Sequence, residues 1–399
     1  MQFSPCLLLS QVTCSTIHAP YCHQEYAETR DMAAYYMVVT STDNSVFGDT
    51  HRTRMLFLPK RTELCGPSEE CFRNCTAKDI RSCHFKFNVH HYQTLSRACY
   101  NCPYNASDCA RPHCVPGDGV IRQITVVNNR MPGPSIQVCV GDQIIVDVKN
   151  SLTSGDLSIH WHGLTMRAFN GSPGTPHMDG VPGVTQCPLV PGQLFRYNFW
   201  ATEAGTHWWH AHSGFQRGDG VYGGLIVHEL KDPHLSLYDY DLPEHLILVQ
   251  SWLHSTTESK YTIRRYGGDD DKSDSMLVNG QGPYQSPVAT ELSGQIPYQR
   301  FKVEKGKRYR FRLLNTAGLN CPITFSIDEH SFTVIATDGH PIVPVNASSL
   351  VISSAEKDEI VYGFQAPTPR ISYVVFNNGK CCRIRDNHTA HYTSLHHGT

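Results

Sequence analysis

Two pairs of histidines are the residues in this sequence whose type and spacing could do chemistry. His160 and His162 form one His-x-His pair, and His210 and His212 form the other. On a β-strand, residues i and i+2 point to the same side, so each pair would present two imidazoles to one face. Imidazole binds copper, zinc, iron and nickel alike. The spacing therefore predicts a metal centre without choosing the metal.

The surroundings of the pairs carry more information than the spacing itself. With 23 histidines in 399 residues, about one such pair is expected by chance. Both pairs, however, close predicted strands, have tryptophans beside them, and are followed by a small residue, Gly163 or Ser213, that lets the backbone approach a cluster. His207, which lies on the opposite strand face from His210, is expected to pack rather than to bind metal.

The elements that must position these histidines are predicted to be strands. Apolar residues occupy every second position from 136 to 140, from 144 to 148 and from 195 to 199, with Gly, Pro or Asn between the stretches. The predicted fold class is all-β, with tandem antiparallel β-sandwiches. We expect an unassigned leader at 1–64, a cysteine-rich module at 65–116, a first sandwich at 117–232, a second at 233–376 that is incomplete at its end, and a tail at 377–399.

Sixteen cysteines indicate disulfide chemistry, and eight of them crowd between positions 65 and 114. Zinc is the alternative, because Cys99 and Cys102 form a CxxC, but no second CxxC follows at zinc-finger spacing. The sequence also has Asn-x-Ser/Thr sequons at Asn74, Asn105, Asn170, Asn346 and Asn387. We therefore expect a secreted glycoprotein, even though the first sixteen residues make a poor signal peptide.

The overall composition excludes two classes of partner. With a formal charge of −2 and a pI near 6.9, the chain has no strong positive electrostatic potential that would attract nucleic acid or anionic lipid. No stretch approaches the roughly 18 to 20 apolar residues that a membrane-spanning helix needs. We expect no nucleic-acid partner and no membrane span.

Three longer segments, at 160–163, 178–188 and 205–220, resemble the amino-terminal copper motifs of multicopper oxidases, specifically the laccase-like enzymes of insects. That subgroup also has a cysteine-rich module ahead of its first domain, similar to the cysteines at 65–114 here. The resemblance extends over about residues 65–355. It implies that the sandwiches are Greek-key domains of the cupredoxin (plastocyanin-like) type and that the metal is copper.

The resemblance also implies a role for each histidine. His160 would bind the type 2 copper, and His162, His210 and His212 would bind the type 3 pair. In the family this cluster reduces dioxygen to water with electrons taken from phenolic substrates at a distant blue copper. The carboxylate that matches Asp179 would hydrogen-bond water near the cluster and help to deliver protons; the alternative is a turn residue ahead of a glycine.

The blue (type 1) copper site of the family has no counterpart in this sequence. The family builds that site in a third domain with a His-Cys-His run, which occurs nowhere here, and it uses eight histidines for the cluster, of which four are present. We interpret the chain as the truncated amino-terminal part of a laccase-type oxidase, inactive by itself. Two alternatives stay open: a secreted, non-catalytic copper-binding or regulatory protein, and a structural matrix glycoprotein.

Overall fold

The computed structural model describes residues 71–267, 273–284, 296–316, 318–319, 322–327 and 330–363, together with the strand backbones at 370–375, 390–394 and 396–397. The predicted leader at 1–64, Cys65 and the sequon at Asn387 lie outside these residues. The range predicted as a tail contains two of the described strands.

The first β-sandwich carries the histidine pairs. Its strands are β1 (Ser82–Gln93), β2 (Gln123–Val127), β3 (Ile136–Cys139), β4 (Gln143–Asn150), β5 (Ile159–His162), β6 (Leu194–Trp200), β7 (Gly205–Ala211) and β8 (Tyr222–His228). One sheet has the order β2-β1-β4-β6, and the other has the order β3-β8-β7-β5. The period-two pattern sets the layers, because Ile144, Val146 and Val148 of β4 are fully buried in the core between the sheets.

A second β-sandwich follows. Its strands are β9 (Leu246–Trp252), β10 (Ser275–Val278), β11 (Lys302–Val303), β12 (Arg308–Asn315), β13 (Ile323–Ile327), β14 (Phe332–Thr337), β15 (His340–Ala347), β16 (Ser349–Ile352), β17 (Lys357–Gly363), β18 (Arg370–Val375), β19 (Ala390–Ser394) and β20 (His396–His397). The sheets have the orders β10-β9-β12-β17-β14-β15 and β16-β13-β18-β19, and β11 pairs with β20. Phe311 and Phe325 pack in the core between them.

Helices are few and short in the described parts of the chain. They are α1 (Ala106–Cys109), α2 (Thr257–Arg265) and the 3-10 turns Arg97–Cys99, Pro176–Met178 and Pro243–His245. None of them has the length and apolar character needed to cross a bilayer. The predicted all-β fold class is confirmed.

Two disulfides join the segment ahead of β1 to β1 and to β3, and two others lie within the connection between β1 and β2. They are Cys71–Cys83, Cys75–Cys139, Cys99–Cys114 and Cys102–Cys109. The interpretation of Cys99 and Cys102 as disulfide cysteines rather than zinc ligands is confirmed. Strand β1, which lies inside the range predicted as the cysteine-rich module, pairs with both β2 and β4 and so belongs to the first sandwich.

The second sandwich covers the outer face of β7 and β8. Trp208 and Tyr222 from this face pack with Leu246, Leu248 and Trp252 of the second sandwich in one apolar cluster. Strand β7 is therefore buried on both sides along nearly its whole length. This burial fixes the strand that carries His210.

Candidate metal centre

Strands β5 and β7 place the two histidine pairs side by side. The strands pair antiparallel, with His160 opposite His210 and His162 opposite Trp208. His212 follows the end of β7, where its backbone N–H still donates to the segment ahead of β5, at 2.9 Å. The structure therefore brings all four predicted histidines together.

The ring nitrogens have the spacing of metal ligands. Nδ1 of His162 lies 3.4 Å from Nε2 of His210. Two nitrogens that bind one ion at about 2.0–2.1 Å in tetrahedral geometry lie roughly 3.3–3.4 Å apart. One ligand nitrogen each from His160, His162 and His210 lie within 4.8 Å of one another, and the His212 ring centroid is 5.2 Å from that of His160. The chemistry and spacing of these donors fit copper, which imidazole binds well.

Backbone carbonyls determine which nitrogen of two of the rings carries the proton. Nδ1 of His160 lies 2.7 Å from the carbonyl oxygen of Asp179, and Nδ1 of His210 lies 2.9 Å from that of Ala211. A carbonyl oxygen only accepts, so each Nδ1 donates its proton and each Nε2 keeps its lone pair. Such partners orient a ring and raise its basicity toward a metal.

Burial favours the neutral form of His162, His210 and His212. Desolvation lowers the pKa of His162 to about 3, with a smaller contribution from the nearby Lys357 ammonium. Desolvation also holds the pKa of His210 well below its usual range and lowers that of His212. Because protons compete with metal ions for the ring nitrogens, ligands with a lowered pKa stay available at mildly acidic pH.

Trp208 forms the floor of the cluster. It is fully buried, and its ring centroid lies 4.2 Å from that of His210 and 5.2 Å from that of His162. The flat indole limits the rotation of both imidazoles, because neither ring can turn without losing this contact. The floor therefore holds the rings in their present orientation before any metal binds.

Asp179 lies at the mouth of the cluster, beside His160. Its Oδ1 is 3.2 Å from Nδ1 of His160, and its carboxylate is 28% exposed. The following residue is Gly180, at φ +81°, where an added Cβ would lie 1.8 Å from the carbonyl oxygen of Ile159. Only glycine permits this close approach, which brings Asp179 against β5. The predicted role of Asp179 in proton delivery stays a prediction.

The stretch between the first histidine pair and Asp179 forms an excursion away from the cluster. Phe169 and Ser172 exchange backbone hydrogen bonds of 3.1 and 2.8 Å around an exposed turn. Thr175 then donates to the carbonyl of Met166, at 2.8 Å. The chain thus closes this loop on itself and returns to place Asp179 beside His160.

Asp219 has a role here that sequence reasoning missed. It lies in the turn after His212, where its carboxylate binds the guanidinium of buried Arg122 and accepts a hydrogen bond from Thr257 N at 3.0 Å. Asp219 therefore joins the end of the histidine segment to the start of α2. No local sequence signal links Asp219 to Arg122, because 97 positions separate them.

Family models described as "Multicopper oxidase" match residues 108–232 and 244–397, together more than half of the chain. Laccase-1 of Botryotinia fuckeliana is 38% identical over 244 residues, which are 61% of this chain and 40% of that protein. Laccase of Trametes maxima is 36% identical over 278 residues, 66% of this chain and 51% of that protein. The crystal structure of a laccase from Botrytis aclada matches with a TM-score of 0.60 and 28% identity, over 79% of this chain and 55% of that one.

These relatives are fungal, and the insect type of laccase indicated by the sequence motifs stays a prediction. The chain spans about half or less of the length of the curated relatives it matches. The cupredoxin-like fold of both sandwiches is confirmed by the matched oxidase structures. With histidines at metal-ligand spacing on this fold, and with both family models matched, the chain belongs to the multicopper oxidase family.

Proposed function

We propose that His160, His162, His210 and His212 bind copper as half of a trinuclear site in a laccase-type oxidase. The observation that carries the proposal is the 3.4 Å separation between Nδ1 of His162 and Nε2 of His210. In the same cluster, carbonyl groups accept the Nδ1 protons of His160 and His210. By the family resemblance, His160 is assigned to type 2 copper and the other three to the type 3 pair.

The proposed reaction is the oxidation of diphenols with reduction of dioxygen to water. Copper, when bound, would supply the one-electron chemistry that this reaction needs. The residues of this chain orient the ligand rings and exclude water from one side of the cluster through Trp208. Asp179, partly exposed and beside His160, is positioned to pass protons between solvent and the cluster.

Metal analysis tests the copper proposal. The purified chain loaded with Cu2+ and then passed through a desalting column should retain copper, and the double variant His160→Ala, His210→Ala should lose most of it. His90→Ala, His91→Ala is the matched control, because it removes two histidines of β1 that are not part of the cluster. Equal copper retention in all three proteins would exclude the proposed site.

We further propose that this chain by itself does not complete the oxidase cycle. It contains no His-Cys-His run and four of the eight cluster histidines that the family uses. The copper-loaded chain should show no blue thiolate-to-copper absorption and no oxidation of a diphenol above that of free Cu2+. Turnover that is abolished by His160→Ala, His210→Ala would contradict this proposal.

Secretion and N-glycosylation are proposed from the surface of the described residues. The asparagines of four sequons, Asn74, Asn105, Asn170 and Asn346, are exposed, and the four disulfides favour an oxidising compartment. Expression in a eukaryotic secretory host should give a product whose mass falls on treatment with an N-glycosidase. A mass that does not change would contradict the proposal of N-glycosylation.

A further inference from the structure

His207 lies near the start of β7, on the face opposite to His210, where its ring lies close to the backbone of both sandwiches. Its side chain is almost completely buried. Nε2 donates to the carbonyl oxygen of Glu203 at 3.1 Å, whereas the buried Nδ1 has no hydrogen-bond partner among the described residues. Burying an imidazole nitrogen without a hydrogen-bond partner lowers the stability of the folded chain, so the packing around His207 must compensate for this cost.

The His207 ring is in close contact with the backbone of both sandwiches. A Cβ added at Gly163 would lie 2.4 Å from Nδ1 of His207, and one added at Gly339 would lie 2.8 Å from Cε1. Gly163 directly follows His162 in the first sandwich, and Gly339 lies in the turn between β14 and β15 in the second. The ring thus fills the space between a metal-ligand segment and a turn of the neighbouring sandwich.

The turn that contacts His207 is itself held firmly. Asp338 N donates a hydrogen bond to the carbonyl oxygen of Lys357 at 2.6 Å. The buried Lys357 ammonium also forms an ion pair with the Asp338 carboxylate, at 2.8 Å. The neighbouring strand position is held too, because Thr206 donates to the buried Glu359 at 2.5 Å. The second sandwich therefore contacts β7 at two successive residues, Thr206 and His207.

We propose that His207 is a positioning residue through which the second sandwich sets the place of His162 in the metal centre. The proposal rests on the proposed function of His162 as a copper ligand. A close-packed interior transmits small displacements rather than absorbing them, so a shift of the Gly339 turn moves His207, Gly163 and then His162. Outer-shell partners that hydrogen-bond a metal ligand typically change metal affinity 10- to 100-fold when altered, and we expect an effect at the lower end of this range for a residue that acts through packing.

A matched pair of glycine variants tests the contact in the metal-free chain. Gly339→Ala adds a methyl group against His207 at φ +80°, and Gly306→Ala adds one at φ +81° with nothing within 4 Å. Both carry the same backbone strain, so the difference between them reports the contact. In spectra of 15N-labelled histidine rings, assigned with His162→Asn, Gly339→Ala should shift the His162 signals and Gly306→Ala should not. Unchanged His162 signals in a folded Gly339→Ala would overturn the proposal.

Copper titration against a competing chelator supplies the second measurement. Gly339→Ala should bind Cu2+ at least tenfold more weakly and change the electron paramagnetic resonance spectrum of the bound ion, and Gly306→Ala should stay within twofold of the original chain. If the original chain binds no copper, the proposed function fails, and the ring spectra still decide the positioning role.

His207→Asn covers the case in which Gly339→Ala does not fold. The asparagine side chain is shorter than histidine, so it loses the Nε2 bond to the Glu203 carbonyl and is too small to fill the space between the two glycines. We expect the same loss of copper affinity and the same spectral change as for Gly339→Ala. A folded His207→Asn with the original His162 ring signals and the original copper spectrum would overturn the proposal.

Discussion

The buried histidines of this chain differ in the role we propose for them, although burial lowers the pKa of each. His162 and His210 face the cluster with a ring nitrogen, whereas His207 faces two backbone segments. In all three, desolvation lowers the pKa and favours the neutral ring. In our proposal, the neutral ring of His210 is a metal ligand on one face of β7, and the neutral ring of His207 is a spacer on the other.

Acid should destabilise the metal-free chain through His207. Burial lowers its pKa to about 4 from an ordinary value of 6.5. Between these two values the unfolded chain binds a proton that the folded chain does not, so stability present above pH 6.5 is lost as pH falls toward 4. The loss from this one residue is about 3 kcal/mol.

Urea unfolding at a series of pH values measures this effect. His207→Gln, which cannot take up the proton, should show a shallower decline between pH 6.5 and 4 than the original chain. His91→Gln, a change on β1, should decline as the original chain does. If His207→Gln and the original chain decline in parallel, the buried His207 is not responsible.

At the scale of elements, the end of the histidine segment is fixed to helix α2. Asp219 accepts from Thr257 N and Thr257 Oγ1 at 3.0 and 3.1 Å, at the start of the helix. It also binds Arg122, whose guanidinium lies 4.3 Å from the centroid of the Trp252 ring. One carboxylate thus joins the turn after His212, the second sandwich and a buried arginine.

Removing the Asp219 carboxylate should lower the free energy of unfolding substantially. Asp219→Ala leaves the guanidinium of buried Arg122 without its charge partner, a change that typically costs about 3–5 kcal/mol. Arg196→Ala removes an exposed partner of Asp147 and should cost less than about 1 kcal/mol. Urea unfolding at pH 7 compares the two. Similar, small losses for both variants would show that the Arg122 pair is not effectively buried.

Part of this arrangement can be predicted from the sequence. The alternation at 144–148 predicts a half-buried strand because side chains on a strand point to opposite faces in turn, and β4 has that pattern. The pairing of β1 with β4 could not be predicted, since the cysteine density of that region suggested a separate module. Similarly, the spacing of His160 and His162 predicts one shared face, whereas the contact of His207 with Gly339 depends on the packing of a distant turn.

At the scale of the whole molecule, the two sandwiches are joined by an apolar cluster and by hydrogen bonds between Thr206 of β7 and a buried ion pair of the second sandwich. Trp208 contributes to this apolar cluster on one side and to the floor of the histidine site on the other. Arg312 of the second sandwich donates to Thr206 of β7 at 2.8 Å and pairs with buried Glu359 at 2.6 Å. The proposed metal centre is therefore supported by both sandwiches, although all four histidines come from the first.

Anomalous diffraction at the copper absorption edge tests the central claim most directly. Crystals of this chain grown with Cu2+ should show an anomalous peak within about 2.2 Å of Nε2 of His210 and Nδ1 of His162. A second peak is expected beside Nε2 of His160. Strong copper peaks elsewhere, with none among these three rings, would contradict the assignment of this cluster as the copper site.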